Sequence, residues 1–249
     1  MRRLLVLIRL ILTIELRHPA VLFWNFAFPV GVLLINGAIF GAGDAEPGAT
    51  AAWLAAGIIV LNIMAGAFLG DSARLVHVRE QGILQRVQAS PLPAGTLVLS
   101  YTAVRLLLVL IQAALIVTVA VLALGARFAV GGVLSAAVIA LAGALAFILV
   151  GQAIAAVAPG VGAANALGQT IYFPLMFISN LFLPAELLPD WIAAVARWTP
   201  AFMLVDVLRP AMVDVPAQQS GLLNLLGLAL FGAAGLAIAA RHFRWEPWR

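Results

Sequence analysis

Residues 106–124 read LLLVLIQAALIVTVAVLAL, an apolar run without a single charge. A helix of that length is about 28 Å long, close to the thickness of a bilayer's hydrocarbon core. Five further runs of this kind lie near 21–42, 51–70, 132–157, 164–183 and 221–240. None of them alternates polar with apolar residues as barrel strands do, and an isolated span in lipid satisfies its backbone only as a helix. The sequence therefore predicts an all-α integral membrane protein with six transmembrane helices. Composition agrees: 64% of the 249 residues are hydrophobic and 10% are charged, whereas a soluble domain averages about 45–50% and about 25%.

The same composition excludes several chemistries. Cysteine is absent, which removes disulfides, thiolate metal sites and thiol nucleophiles. Lysine is absent too, so all 14 basic residues are arginine. A Walker A loop requires its lysine, so these residues hold no P-loop ATPase. His18, His77 and His242 stand apart from one another and no HExxH occurs, so no metal centre is expected. No acidic pair lies within a span, which argues against an intramembrane hydrolase and an ion-coupled secondary transporter. No ring of charge or filter motif supports a channel. The net charge of +4 comes from arginines between apolar runs, the pattern of an oriented membrane protein and not of a nucleic-acid binder.

Orientation follows from those arginines. With the N-terminus cytoplasmic, Arg2, Arg3, Arg9, Arg17, Arg74, Arg79, Arg86, Arg105, Arg241, Arg244 and Arg249 fall inside. Only Arg127, Arg197 and Arg209 fall outside. Both termini are then cytoplasmic, and the expected location is the bacterial plasma (inner) membrane. Arg105 is expected at the inner boundary, snorkelling to water.

Residues 1–19 lack the uninterrupted apolar core and small-residue cleavage site of a signal peptide. Arg2, Arg3, Arg9, Thr13 and Arg17 share one helical face, as in a helix lying in the interface. His18-Pro19 breaks it from the first span. The chain reads as a single transmembrane domain over 1–249. Two of its connections have room to fold: a cytoplasmic one at 71–101 and an outer one at 184–220. In the outer one, Leu188, Trp191, Ile192, Val195 and Trp198 form an apolar stripe opposite Asp190, Ala194 and Arg197. Pro189 sits where a first helical turn tolerates proline.

Uncharged polar residues punctuate the spans: Asn25, Asn36, Asn62, Gln112, Gln152, Asn165, Gln169 and Tyr172. They fit two roles, hydrogen bonding between helices or lining a path for an amphipathic molecule. Ala164 and Gly168 have the small-xxx-small spacing of close helix packing. In the cytoplasmic connection, residues 78–92 read VREQGILQRVQASPL. A short helix mixing charged with apolar side chains is expected there, closed by Ser90-Pro91. It suits either docking of a soluble partner or a solvated connection between spans.

That stretch resembles the cytoplasmic loop of type-2 ABC transporter permeases, with its E-R-E-x-G-(T/I)-L and later (S/T)-P-L. Val78 replaces the family's first acid, so only Arg79 and Glu80 carry over, and Ile83 stands at the Thr/Ile position. Residues 173–191, FPLMFISNLFLPAELLPDW, with the following Trp198-Thr199-Pro200 and Asp206 to Arg209, resemble the same family's fifth span and outer helices. The form with Ser179-Asn180 before Phe182 and Pro184 is most similar to permeases of the daunorubicin/doxorubicin-resistance kind.

The resemblance implies an N-terminal interfacial helix, a cytoplasmic coupling helix, and outer re-entrant helices between spans five and six. It implies a non-enzymatic permease subunit of an ATP-driven exporter, with no cofactor of its own. ATP and Mg would bind two copies of a separate ABC ATPase. Arg79, Glu80, Gly82, Ile83, Leu84, Arg86, Ser90 and Pro91 would couple to that ATPase. A second permease copy, as homodimer or heterodimer, would complete the path in the lipid. The path candidates are Asn25, Asn36, Asn62, Asn165, Gln169, Tyr172, Phe173, Phe177 and Asn180. Phe182, Pro184, Pro189 and Trp191 would form the outer gate. The implied substrate is a hydrophobic or amphipathic small molecule, as in multidrug efflux and antibiotic resistance. Export of a lipid-linked glycan and an ATP-independent secondary transporter are the alternatives.

Overall fold

The computed structural model describes residues 2–41, 48–89, 94–181, 188–213 and 215–243, and among these there is no β-strand. Helix α1 (Arg2–Arg17) comes first. His18 is extended, and Pro19 occupies the first turn of α2 (Pro19–Leu22), so the chain turns where the His-Pro pair requires it. The first span runs from Pro19 to Phe40. It passes through α2, a π-helical segment at Phe23–Ala27 and α3 (Phe28–Phe40). Pro29 accounts for that irregularity: it has no N–H to return to the Asn25 carbonyl, and its ring crowds it.

The second span is the axis of the molecule. It joins α4 (Ala49–Ala65), a second π-helical segment (Gly66–Asp71) and α5 (Ser72–Glu80) into 32 residues. A helix apolar all round belongs inside, and 78% of its membrane window is buried, against 17% for the first and fifth spans. Leu54, Ile58, Met64 and Phe68 are enclosed in a core with Ile116, Phe147 and Leu204 from other helices.

After α6 (Ile83–Gln88), the third span lies in α7 (Ala94–Leu124), the fourth is α8 (Val133–Val157) and the fifth α9 (Val161–Ile178). Two short helices follow, α10 (Asp190–Ala196) and α11 (Pro200–Met212), bent 82° to one another. Thr199 caps α11, its hydroxyl accepting the Phe202 N–H at 3.3 Å. The sixth span is α12 (Gly221–His242). Among the described residues, six helices are thus long and apolar enough to cross a membrane, as the sequence predicts.

Two expectations change. The connection at 71–101 is mostly helix, because α5 prolongs the second span and α7 starts at Ala94. Arg105 therefore sits eleven residues inside α7 and is 7% exposed. Its guanidinium is enclosed among polar groups of the first two spans instead of reaching out to water.

Candidate functional site

The segment expected to couple to an ATPase is a helical hairpin, α5–turn–α6. Gly82 takes φ +67, a left-handed conformation that glycine adopts without a steric penalty. Leu84 turns inward and packs with Val78 and Leu97, with Ile83 against the same cluster. Gln85 and Arg86 are exposed beneath the bundle. Glu80 is exposed, yet its Oε1 accepts the N–H of Val161 at 3.2 Å, at the first turn of α9.

Arg79 departs from its expected role as an outward contact. It is 2% exposed. Its Nη1 donates to the Ala155 carbonyl at 3.0 Å, and its Nη2 donates to the Ala158 carbonyl. The last carbonyls of a helix have no intrahelical donor, and a buried guanidinium satisfies two at once. Arg79 thus holds the hairpin to the end of α8, with its charge turned away from any docking surface. Ser90 and Pro91 lie outside the described residues.

The path candidates divide into two groups. Asn25 and Asn62 are tied into the interior. Asn25 Oδ1 accepts from Arg105 Nη1 at 3.1 Å and from Gln112 Nε2 at 2.9 Å. Arg105 Nη2 donates to the Asn62 carbonyl at 3.2 Å, and Arg105 Nε lies 3.6 Å from Asp71 Oδ2. Asn62 Nδ2 donates at 3.3 Å to the Asn25 carbonyl that Pro29 leaves without its helical donor. For these two residues the interhelical role is the one realised. Tyr172 is buried as well.

The second group is on the surface of this chain. Gln169, Phe173 and Phe177 form an exposed stripe along α9, Phe173 at 48% and Phe177 at 60%. Asn165 is half-buried beside them. Asn36 is half-buried in α3 and donates to the Val32 carbonyl. The opposite side of α9 approaches the core through Gly168, where any Cβ would overlap the Phe68 carbonyl.

Beyond α9, Asn180 has φ +57 and is 3% exposed, a buried corner of the backbone. Its carbonyl accepts from Arg209 Nη2 at 2.8 Å, and that guanidinium lies 3.7 Å over the Trp53 ring. Asp206, one turn before Arg209, accepts the N–H of Gln218 at 2.7 Å and of Gln219 at 2.9 Å. Asn224 Nδ2 donates to it at 2.8 Å. A cavity of about 230 Å³ lies between Trp53, Asn180, Asp206 and Arg209. Of the expected gate, Phe182 and Pro184 lie outside the described residues. Pro189 precedes α10, and Trp191 is 71% exposed on it, with Val195 and Trp198 also turned outward.

Sequence reading missed the burial of Arg105 and Glu15 and the structural use of Asp206. Glu15 on α1 is buried and ion-paired with Arg74, whose guanidinium is 5.1 Å from the centre of the Tyr101 ring. The available signal was a lone carboxylate among apolar residues of an amphipathic helix, which needs a cation.

No curated protein matches the chain. A family model described as ABC-2 type transporter matches residues 3–213, from the first helix through the outer pair. With six apolar spans around a buried second one and a match over most of its length, the chain belongs to the ABC-2 type transporter family of membrane permeases.

Proposed function

We propose that the chain is the permease subunit of an ATP-driven exporter, working with a separate ABC ATPase. The observation that carries this reading is the α5–α6 hairpin. It is anchored from behind by Arg79, Glu80 and Leu84 and presents Gln85 and Arg86 to the side where the arginine bias puts the cytoplasm. An anchored hairpin is what transmits force from a docked partner, whereas a merely solvated connection has no need of a buried guanidinium at its root.

A second permease copy faces α9. An amide such as Gln169 is costly against hydrocarbon, so its stripe with Phe173 and Phe177 is read as the wall of a path between two copies. The stripe offers aromatic faces and one amide, chemistry for a hydrophobic or amphipathic molecule moving outward past α10 and α11. ATP binding closes the ATPase pair and pulls the hairpins, and the spans change access from inside to outside. The setting is the bacterial inner membrane with both termini cytoplasmic.

Co-expression with the ATPase encoded beside its gene tests this. A two-to-two complex that hydrolyses ATP and concentrates a lipophilic dye in inside-out vesicles is expected. The double variant Gln85→Ala/Arg86→Ala is expected to lose the complex and keep the permease folded. A permease that moves the dye without any ATPase would overturn the proposal in favour of a secondary transporter.

A further inference from the structure

Both π-helical segments of the bundle meet one side chain. Asn25, inside Phe23–Ala27, receives Arg105 Nη1. The second segment, Gly66–Asp71, begins and ends on the same guanidinium. A Cβ at Gly66 would overlap the Arg105 side chain, and Asp71 Oδ2 lies 3.6 Å from Arg105 Nε. The same segment is approached at backbone contact by Gly151 of α8, against the Ala67 carbonyl, and by Gly168 of α9, against that of Phe68. Arg105 on the third span thus joins the first and second spans, at a segment of the second that the fourth and fifth spans also approach.

A buried arginine within a membrane span is expensive and marks function by default. Interior π-segments are uncommon and recur at functional sites. The network also holds a vacant choice. Asp71 Oδ2 is buried with no hydrogen-bond partner, while Arg105 gives its Nη donors to neutral acceptors on Asn25 and Asn62. Arg105 Nε, 3.6 Å from Asp71 Oδ2, is the donor nearest the carboxylate, so a small shift of α5 that closes this distance draws the whole planar guanidinium towards α5 and lengthens its Nη bonds to the two asparagines.

We propose that Arg105 is the positioning residue that carries the hairpin's motion to the first span, by exchanging its asparagine acceptors for Asp71. Asp71 immediately precedes α5, the arm that carries the hairpin, and Asn25 belongs to the first span, so the exchange links one to the other. It supplies the two-arrangement element that energetic coupling between distant sites requires. The inference rests on the exporter reading above.

The native chain contains no cysteine, which permits a direct test on the permease–ATPase complex. Single cysteines are placed at Ala89 at the end of the hairpin and, separately, at Ile39 near the far end of the first span, both exposed. Their rates of reaction with N-ethylmaleimide are compared with and without ATP and vanadate. In the native background both rates are expected to change at least about fivefold, the lower end of ordinary coupling between sites.

With Arg105→Gln, the change at Ala89 persists and the change at Ile39 disappears, with ATP hydrolysis retained. Asp71→Asn keeps the arginine and its asparagine contacts, removes the charged acceptor, and is expected to give the same split should Arg105→Gln fail to fold. A persisting response at Ile39 in either folded variant overturns the role of Arg105 and leaves the exporter reading intact. No response at Ala89 in the native background overturns both.

Discussion

Glu80 accepts the backbone N–H of Val161, tying the end of the second span to the start of the fifth. The carboxylate is solvent-exposed, so the bond serves as a cap and contributes modestly to stability. Replacing Glu80 with alanine is expected to cost about 1 kcal/mol, the usual size of a lost helix cap, while glutamine retains most of it. Unfolding in sodium dodecyl sulfate distinguishes the two. A cost equal for both variants would assign the effect to charge and not to the cap.

Arg79 is 2% exposed beside the exposed Glu80. Its loss strands the carbonyls of Ala155 and Ala158 at the end of α8. Arg79→Ala is expected to cost ~2–4 kcal/mol, since each buried acceptor left without its donor costs about 1–3 kcal/mol. Arg79→Lys recovers less than half, because an ammonium does not reproduce the planar fork. The same denaturation series measures both, and an Arg79→Ala protein of native stability would remove the anchor from the account.

Asp206 gathers three donors from the turn that enters the sixth span. Asp206→Ala is expected to lower stability by roughly 1.5–3 kcal/mol, the range for a hydrogen-bonded charge. Asp206→Asn is expected to fall only partly short of that loss, because its new N–H₂ faces donors. Asn224→Ala removes one of the three bonds and is expected to cost less than either. Limited proteolysis within 215–220 reports the release of the turn.

Two glycines of one helix give opposite expectations. Gly168 faces the Phe68 carbonyl, and even alanine there forces the helices apart, at a cost of ~1–3 kcal/mol. Gly162 has nothing near its would-be Cβ. Gly162→Ala is therefore expected to be neutral or to stabilise α9 by up to about 1 kcal/mol. Helicity and denaturation measured side by side decide it.

Gln169 is exposed on this chain, so Gln169→Leu is expected to leave the stability of the single subunit within ~0.5 kcal/mol of native. Dye transport by the assembled complex is expected to change. Unaltered transport would take the stripe out of the path.

Six spans, their order and their helical nature are legible in the sequence because hydropathy alone sets them. The break at His18-Pro19 is legible for the same local reason. Which face of each span meets another is not. Asn25 and Gln169 look alike on paper, a single amide in an apolar run, yet one is locked to Arg105 and the other is exposed. Only the approach of a third helix separates them. The burial of Arg105 is not legible, because the apolar run after it is long enough to span by itself and the eleven residues of α7 before it give no sign of the polar groups that enclose it. Arg79 was recognised by its motif, but a motif does not say whether a guanidinium points at a partner or back at its own chain.

The second span is a single rod of 32 residues, about 48 Å long at 1.5 Å per residue, whereas the hydrocarbon layer is about 30 Å thick. It is gripped near Gly66–Asp71, with the 17 residues of α4 on one side and the 9 of α5 on the other. The rod exceeds that layer by about 18 Å, so the second span is membrane helix and stalk in one piece, and the hairpin at its end is joined to the core without an intervening loop.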